Sequence, residues 1–227
     1  RVWDVQTGRV LQNFFYDGDG QAYIFDVCFS PTGELLAATW GHTVRIWRTT
    51  TWEKVSDLKG GEKTFGALFA TCVCFSSDGN WLACGSGFDD HQVTVFSVQS
   101  WQMKTTLAGH SGAIRTVCFS PDSAILASGS VDGTVRLWSV ERWRENATLP
   151  VGKTVECVAF SPCGRFLAAG SDCEGATLTI WGVEDGVKLH TLRGHRFAVH
   201  GLAWSSNGSV LASAGLEQIL LWDVSGF

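Results

Sequence analysis

The sequence is short of the features that most directly mark a metal, membrane or nucleic-acid protein. No Cys-x-x-Cys pair occurs among its eight cysteines, and Cys72 and Cys74 stand one residue apart, so the ligand spacing of a structural zinc site is missing. Charged residues make up only 17% of the chain, and 17 Lys and Arg face 22 Asp and Glu. A net charge of -5 without a basic cluster argues against a nucleic-acid footprint. No apolar run approaches the roughly 18 residues of a membrane span, and no charged-then-apolar leader opens the chain. Sustained helical periodicity is absent as well. These absences lead us to expect a soluble all-β protein with no metal or other cofactor, no nucleic-acid partner and no membrane partner.

What is present is repetition. The cysteines Cys28, Cys74 and Cys118 each immediately precede a phenylalanine that closes an alternating run, so they recur as small buried hydrophobes. Unpaired thiols imply an intracellular, cytoplasmic setting, and the sequons at Asn146 and Asn207 are short enough to arise by chance. With 227 residues and 45% apolar content the chain can bury a large core as one unit.

The clearest copy runs from Gly109 to Ser139. Val117 and Phe119 end a first alternating run, and Ser120-Pro121-Asp122 breaks it. Leu126 to Ser130 is a second run, Asp132-Gly133 is a hairpin signal, and Val135, Leu137 and Trp138 mark a third. The aromatics Trp3, Trp47, Phe96, Trp138, Trp181 and Trp222 recur at steps of 44, 49, 42, 43 and 41 residues. A second series, Phe29, Phe75, Phe119, Phe160 and Trp204, keeps phase with it.

With Gly109-His110 at one end and Trp138-Ser139 at the other, this unit resembles a WD40 repeat. The resemblance implies an all-β β-propeller of four-stranded antiparallel blades, because a single such sheet has two apolar faces and is stable only between neighbours. The chain reads as one WD40-type segment over 1–227, with a partial blade over 1–15, blades near 23–58, 69–107, 113–149 and 154–192, and an incomplete blade over 198–223. Two opening strands, four blades of four and three closing strands give 21, so the expectation is an open arc of about five blades, or a fragment. A parallel β-helix, with a shorter repeat, would lack the two aromatic series.

The resemblance also places His110, Ser128, Asp132 and Trp138 in a buried hydrogen-bond chain. An indole only donates, a hydroxyl does both, and an imidazole passes the chain to a carboxylate. A His/Ser/Asp set also suggests a hydrolase, but no glycine-framed nucleophile turn surrounds Ser128, so the expected role is structural. The last copy carries a partial chain of His195, Ser213, Glu217 and Trp222, with Glu217 where aspartate is expected and a turn one residue shorter. Elsewhere Gly20, Gly66 and Val151 stand near the histidine position, and those copies are expected to be softer. Gly152-Lys153-Thr154 imitates the end of a phosphate loop, yet Ala147 replaces the leading glycine and the flanks read as strands. Glu141 with Glu145, and Asp89 with Asp90, read as solvated turns.

Recognition then becomes the expected function: a non-catalytic protein-interaction platform that takes a protein or peptide. The alternatives are a propeller hydrolase with a central-channel site, or a regulatory sensor segment of a larger signalling protein. Partners of the resembling family dock where the fourth-to-first connections and the second-to-third turns gather. Carried over by position, that face holds Tyr23, Phe25, Trp40, Phe69, Thr71, Arg115, Glu156 and His200. Tyr, Phe and Arg are enriched at interface centres. Between Trp47 and Phe75 lie 27 residues, against 22 between Phe96 and Phe119, so the loop with Gly60-Gly61-Glu62-Lys63-Thr64 is extended on that face. Phe88-Asp89-Asp90-His91 and Asp172-Cys173-Glu174-Gly175 lengthen two further turns. An alternative patch is the row of Trp52, Trp101 and Trp143, five residues after successive third-strand aromatics, where Gly8 and Gly186 stand in two other copies.

Overall fold

A computed structural model describes residues 1–15, 23–40, 43–59, 70–87, 90–172 and 175–226. Phe69, the Gly60 to Thr64 loop, Phe88, Asp89, Cys173 and Glu174 lie outside the described residues.

The described residues form twenty-one strands and no helix. The first two, β1 (Val2–Trp3) and β2 (Val10–Gln12), pair with each other. Four antiparallel sheets of four follow in chain order. The first contains β3 (Val27–Phe29), β4 (Leu35–Trp40), β5 (Thr43–Arg48) and β6 (Lys54–Leu58). The second contains β7 (Ala70–Phe75), β8 (Trp81–Ser86), β9 (Val93–Ser97) and β10 (Met103–Leu107). In the third are β11 (Ile114–Phe119), β12 (Ile125–Ser130), β13 (Thr134–Ser139) and β14 (Arg144–Pro150). The fourth has β15 (Val155–Phe160), β16 (Phe166–Ser171), β17 (Thr177–Gly182) and β18 (Lys188–Arg193). A three-stranded sheet of β19 (Val199–Trp204), β20 (Val210–Gly215) and β21 (Ile219–Asp223) ends the series.

Every sheet is a meander because each connection is a short turn that can only return the chain beside itself. The first strands β3, β7, β11, β15 and β19 then lie against one another in sequence, which makes the sheets blades of a propeller arc. The arc is open: β2 pairs with β1 and β21 with β20, and among the described residues no ladder joins them.

Between each pair of blades lies one apolar layer. The layer shared by the second and third contains Val93, Val95, Ile114, Val117, Leu126 and Trp138, all buried. Gly85, Gly129 and Gly170 allow this approach, since a Cβ at Gly129 would meet Val155 Cγ1 at 2.6 Å.

Two strands are shorter than their sequence implies. The first strand expected over 23–29 is regular only from Val27, because Thr39 Oγ1 accepts the N–H groups of Phe25 and Asp26 at 2.8 and 3.0 Å in place of the ladder. The strand expected over 10–15 stops at Gln12, and Phe14 leaves it to pack on Trp47 with ring centroids 4.5 Å apart.

Candidate functional site

The only copy with all four polar residues builds a continuous chain through the third blade. β12 pairs with β13 so that Leu126 opposes Trp138 and Ser128 opposes Arg136. Trp138 Nε1 donates to Ser128 Oγ at 2.9 Å, and His110 Nε2 meets the same hydroxyl at 2.8 Å. On its other side His110 Nδ1 lies 2.8 Å from Asp132 Oδ2. The indole can only donate and the carboxylate only accept, so the protons run one way: Trp138 N–H to Ser128, Ser128 O–H to His110 Nε2, and His110 Nδ1–H to Asp132. That pattern needs a neutral imidazole. Burial lowers the His110 pKa and outweighs the neighbouring carboxylate. Burial also pushes Asp132 upward, but hydrogen bonds from Thr134, His110 and the Ser111 N–H overcome it and hold the carboxyl at about 2. Ser128 is fully buried with its oxygen committed on both sides, so no substrate atom reaches it.

The last copy keeps the inner half of this arrangement. His195 Nε2 lies 2.7 Å from Ser213 Oγ, which also accepts from Trp222 Nε1 at 2.8 Å. Glu217 does not join it. The shorter turn leaves Glu217 exposed, and its neighbour Gln218 donates to Gly194 O at 2.8 Å instead. Sequence reasoning also missed a substitute in the fourth blade, where Trp181 Nε1 donates to Thr179 Oγ1 at 3.0 Å, two residues earlier on the same strand.

Four of the expected docking residues share a backbone feature. In four successive first strands the ladder skips one residue: Thr71 between the pairs of Ala70 and Cys72, Arg115 between Ile114 and Thr116, Glu156 between Val155 and Cys157, and His200 between Val199 and Gly201. A β-bulge re-aims the extra side chain and leaves it unpaired in the ladder. The same bulge therefore sets Thr71, Arg115, Glu156 and His200 at the same position of successive first strands, and one adjacent pair, Arg115 and Glu156, meets across the blades. Arg115 Nε approaches Glu156 Oε1 at 3.7 Å, with side chains 47% and 16% exposed. Thr71 Oγ1 instead donates to Ile114 O of the next blade at 2.5 Å, which commits it to joining blades.

Tyr23 and Phe25 are 55% and 53% exposed, with their rings stacked at 6.0 Å. Trp40, expected at the same face, is only 4% exposed and packs edge-on against Trp47 at 5.2 Å, with the Arg45 guanidinium 5.1 Å above its ring. Its ring is a core side chain, so it offers little to a partner.

The tryptophan row lies at the opposite turns. Trp52, Trp101 and Trp143 have φ of 58°, 55° and 50°, the left-handed region that Gly8 and Gly186 occupy at 67° and 65°. Each ring is half-buried on the layer between its own blade and the preceding one; Trp143 meets Trp81 edge-on at 5.1 Å and Trp52 meets Phe14 at 5.9 Å.

Five matches to the family described as "WD domain, G-beta repeat" run over residues 10–48, 62–97, 101–139, 144–181 and 186–223. The chain belongs to the WD40 family. Four of these WD40 matches begin at a fourth strand and end at the next blade's third, so each sequence repeat ties two neighbouring blades together. Among relatives, "Periodic tryptophan protein 2" of Arabidopsis thaliana is 33% identical over 156 residues, covering 67% of this chain and 17% of the relative. "Small ribosomal subunit protein RACK1y" of Oryza sativa subsp. japonica is 30% identical over 167 residues, covering 70% of this chain and 49% of the relative. The chain thus spans half or less of each relative. WD40 proteins of this kind are generally non-catalytic and bind protein partners.

Proposed function

We propose that the chain is a non-catalytic interaction platform whose protein or peptide partner docks on the face carrying Tyr23, Phe25, Arg115, Glu156 and His200, with Phe69 as a further member. The observation that carries this reading is the recurring first-strand bulge, which sets a cation, a carboxylate and an imidazole at the same position of three successive blades, on an arc whose first blade carries an exposed aromatic pair. Mixed chemistry from several strands supports specificity, whereas the one His/Ser/Asp set is internally saturated and favours a structural role over hydrolysis. The net charge of -5 favours a protein over a nucleic acid. Free thiols among the described cysteines and a relative named as a ribosomal subunit protein support an intracellular, cytoplasmic site of action.

The test is alanine substitution of Phe25 and Arg115, alongside Trp101 and Trp143, against a partner recovered with the intact protein. A true central residue loses about 2 kcal/mol, or roughly thirtyfold in affinity. Loss confined to the two tryptophan variants would place the site on the other face and defeat the proposal.

A further inference from the structure

The three four-stranded blades with a tryptophan after the third strand and the fourth, which has Gly186 there, differ in what closes the cleft behind them. Trp101 joins Leu35 and Val98 on the layer between the first two blades. Trp143 joins Trp81 and Val140 on the next. At the following boundary Ile125 and Val183 hold the equivalent places, but the third member is Gly186. The turn itself is unchanged: Trp143 N donates to Ser139 O at 2.8 Å, and Gly186 N to Gly182 O at 3.0 Å. Only the ring is missing.

That boundary holds an open groove of about 880 Å³. Its apolar wall is formed by Ile125, Phe166, Val183 and Leu189, and the Arg165 guanidinium lies 5.3 Å over the Phe166 ring. Asp122, Glu184 and Asp185 rim it, three carboxylates against the single cation Arg165. Asp122 stays ionised, since the Ser120 hydroxyl and the Ala124 N–H both bond it and lower its pKa. Exposed Cys163 also lines the groove.

We infer that this groove, on the face opposite the docking surface above, is a second binding site for a partner segment that inserts a tryptophan side chain flanked by basic residues. The molecule itself indicates the occupant, because the two preceding boundaries receive an indole on the same apolar shelf. The surplus of carboxylates selects positive charge beside it.

The probe is a short, end-capped peptide with a central tryptophan between two lysines, labelled for anisotropy and titrated against the full chain. Saturable binding is expected, weakened at least tenfold when the peptide tryptophan becomes alanine and at least threefold when the lysines become glutamates. Gly186→Trp should supply the indole internally, in a turn that accepts tryptophan three times elsewhere, and weaken binding at least tenfold. Gly186→Ala should leave it unchanged, since a Cβ there reaches Leu149 Cδ2 only at 3.4 Å. Glu184→Lys should weaken it at least threefold. On the unaltered chain the peptide should slow alkylation of Cys163, a readout that does not depend on any variant folding. No binding, binding indifferent to the peptide tryptophan or to Gly186→Trp in a folded variant, or no protection of Cys163 would each overturn the inference.

Discussion

Replacing Ser128 by alanine removes one oxygen from a fully buried site and leaves two partners stranded. Trp138 Nε1, which donates to that oxygen at 2.9 Å, loses its acceptor, and His110 Nε2, 2.8 Å away, loses its donor. An orphaned buried polar group costs about 1–3 kcal/mol, so the substitution should destabilise by about 2–6 kcal/mol. In a chain of this size each kcal/mol lowers Tm by about 2–4 °C. The cost is not the sum of two independent bonds, which a double-mutant cycle reveals. Trp138→Phe removes the indole N–H itself, so in the Trp138→Phe background Ser128→Ala strands only His110, and the loss of serine should cost about 1–3 kcal/mol less. Urea titrations of the four proteins followed by circular dichroism measure this coupling. Hydrogen exchange should show the faster opening concentrated in β12 and β13, because blades in a series interact mainly with their neighbours. A Ser128→Ala cost under about 0.5 kcal/mol, or strict additivity with Trp138→Phe, would refute the account of the chain as a saturated buried network.

Three further outcomes follow from the same structure. His110 has a lowered folded-state pKa, so the unfolded chain binds the proton more tightly; the stability it contributes is complete above about 6.5 and falls as pH drops through that value. Asp132 adds stability that is present above about 3.9 and is lost toward its folded value of about 2, so denaturation midpoints against pH should show two separated declines; Asp132→Asn should abolish the more acidic one and enlarge the His110 one, because the carboxylate opposes the burial that lowers the His110 pKa. Trp143→Gly relieves a left-handed residue, worth about 1–2 kcal/mol, but forfeits half-buried indole packing on Trp81 worth about 2–4 kcal/mol; net destabilisation of about 1–2 kcal/mol is expected in thermal melts, and a stabilised variant would show that the ring contributes nothing. Cys163 has its pKa drawn down to about 7 by the Ser161 hydroxyl and the Arg165 N–H, whereas burial pushes Cys84 and Cys157 up to about 12, so mass spectrometry after brief alkylation near neutral pH should find Cys163 modified first among the described cysteines.

The sequence by itself determined the blades, because its two aromatic series, in phase, mark the ends of the first and third strands of each copy and the turn residues between them leave only hairpins. Its resemblance to a WD40 repeat also pointed to the His110 chain, and the donor and acceptor inventories suit the order Trp, Ser, His and Asp. Tertiary structure decided the rest. Whether Trp40 is a surface or a core side chain depended on Trp47 and Arg45 meeting it from the adjacent strand, and local pattern carries no record of that contact. Glu217 could stand in for aspartate by charge, but one missing turn residue directs it to solvent. The bulge that aligns Thr71, Arg115, Glu156 and His200 is a mismatch between two strands, so neither strand shows it alone. Glycine at position 186 reads as ordinary turn chemistry; only its packing against the preceding blade turns the absence of a ring into an open groove, because the space is bounded by residues some sixty positions apart.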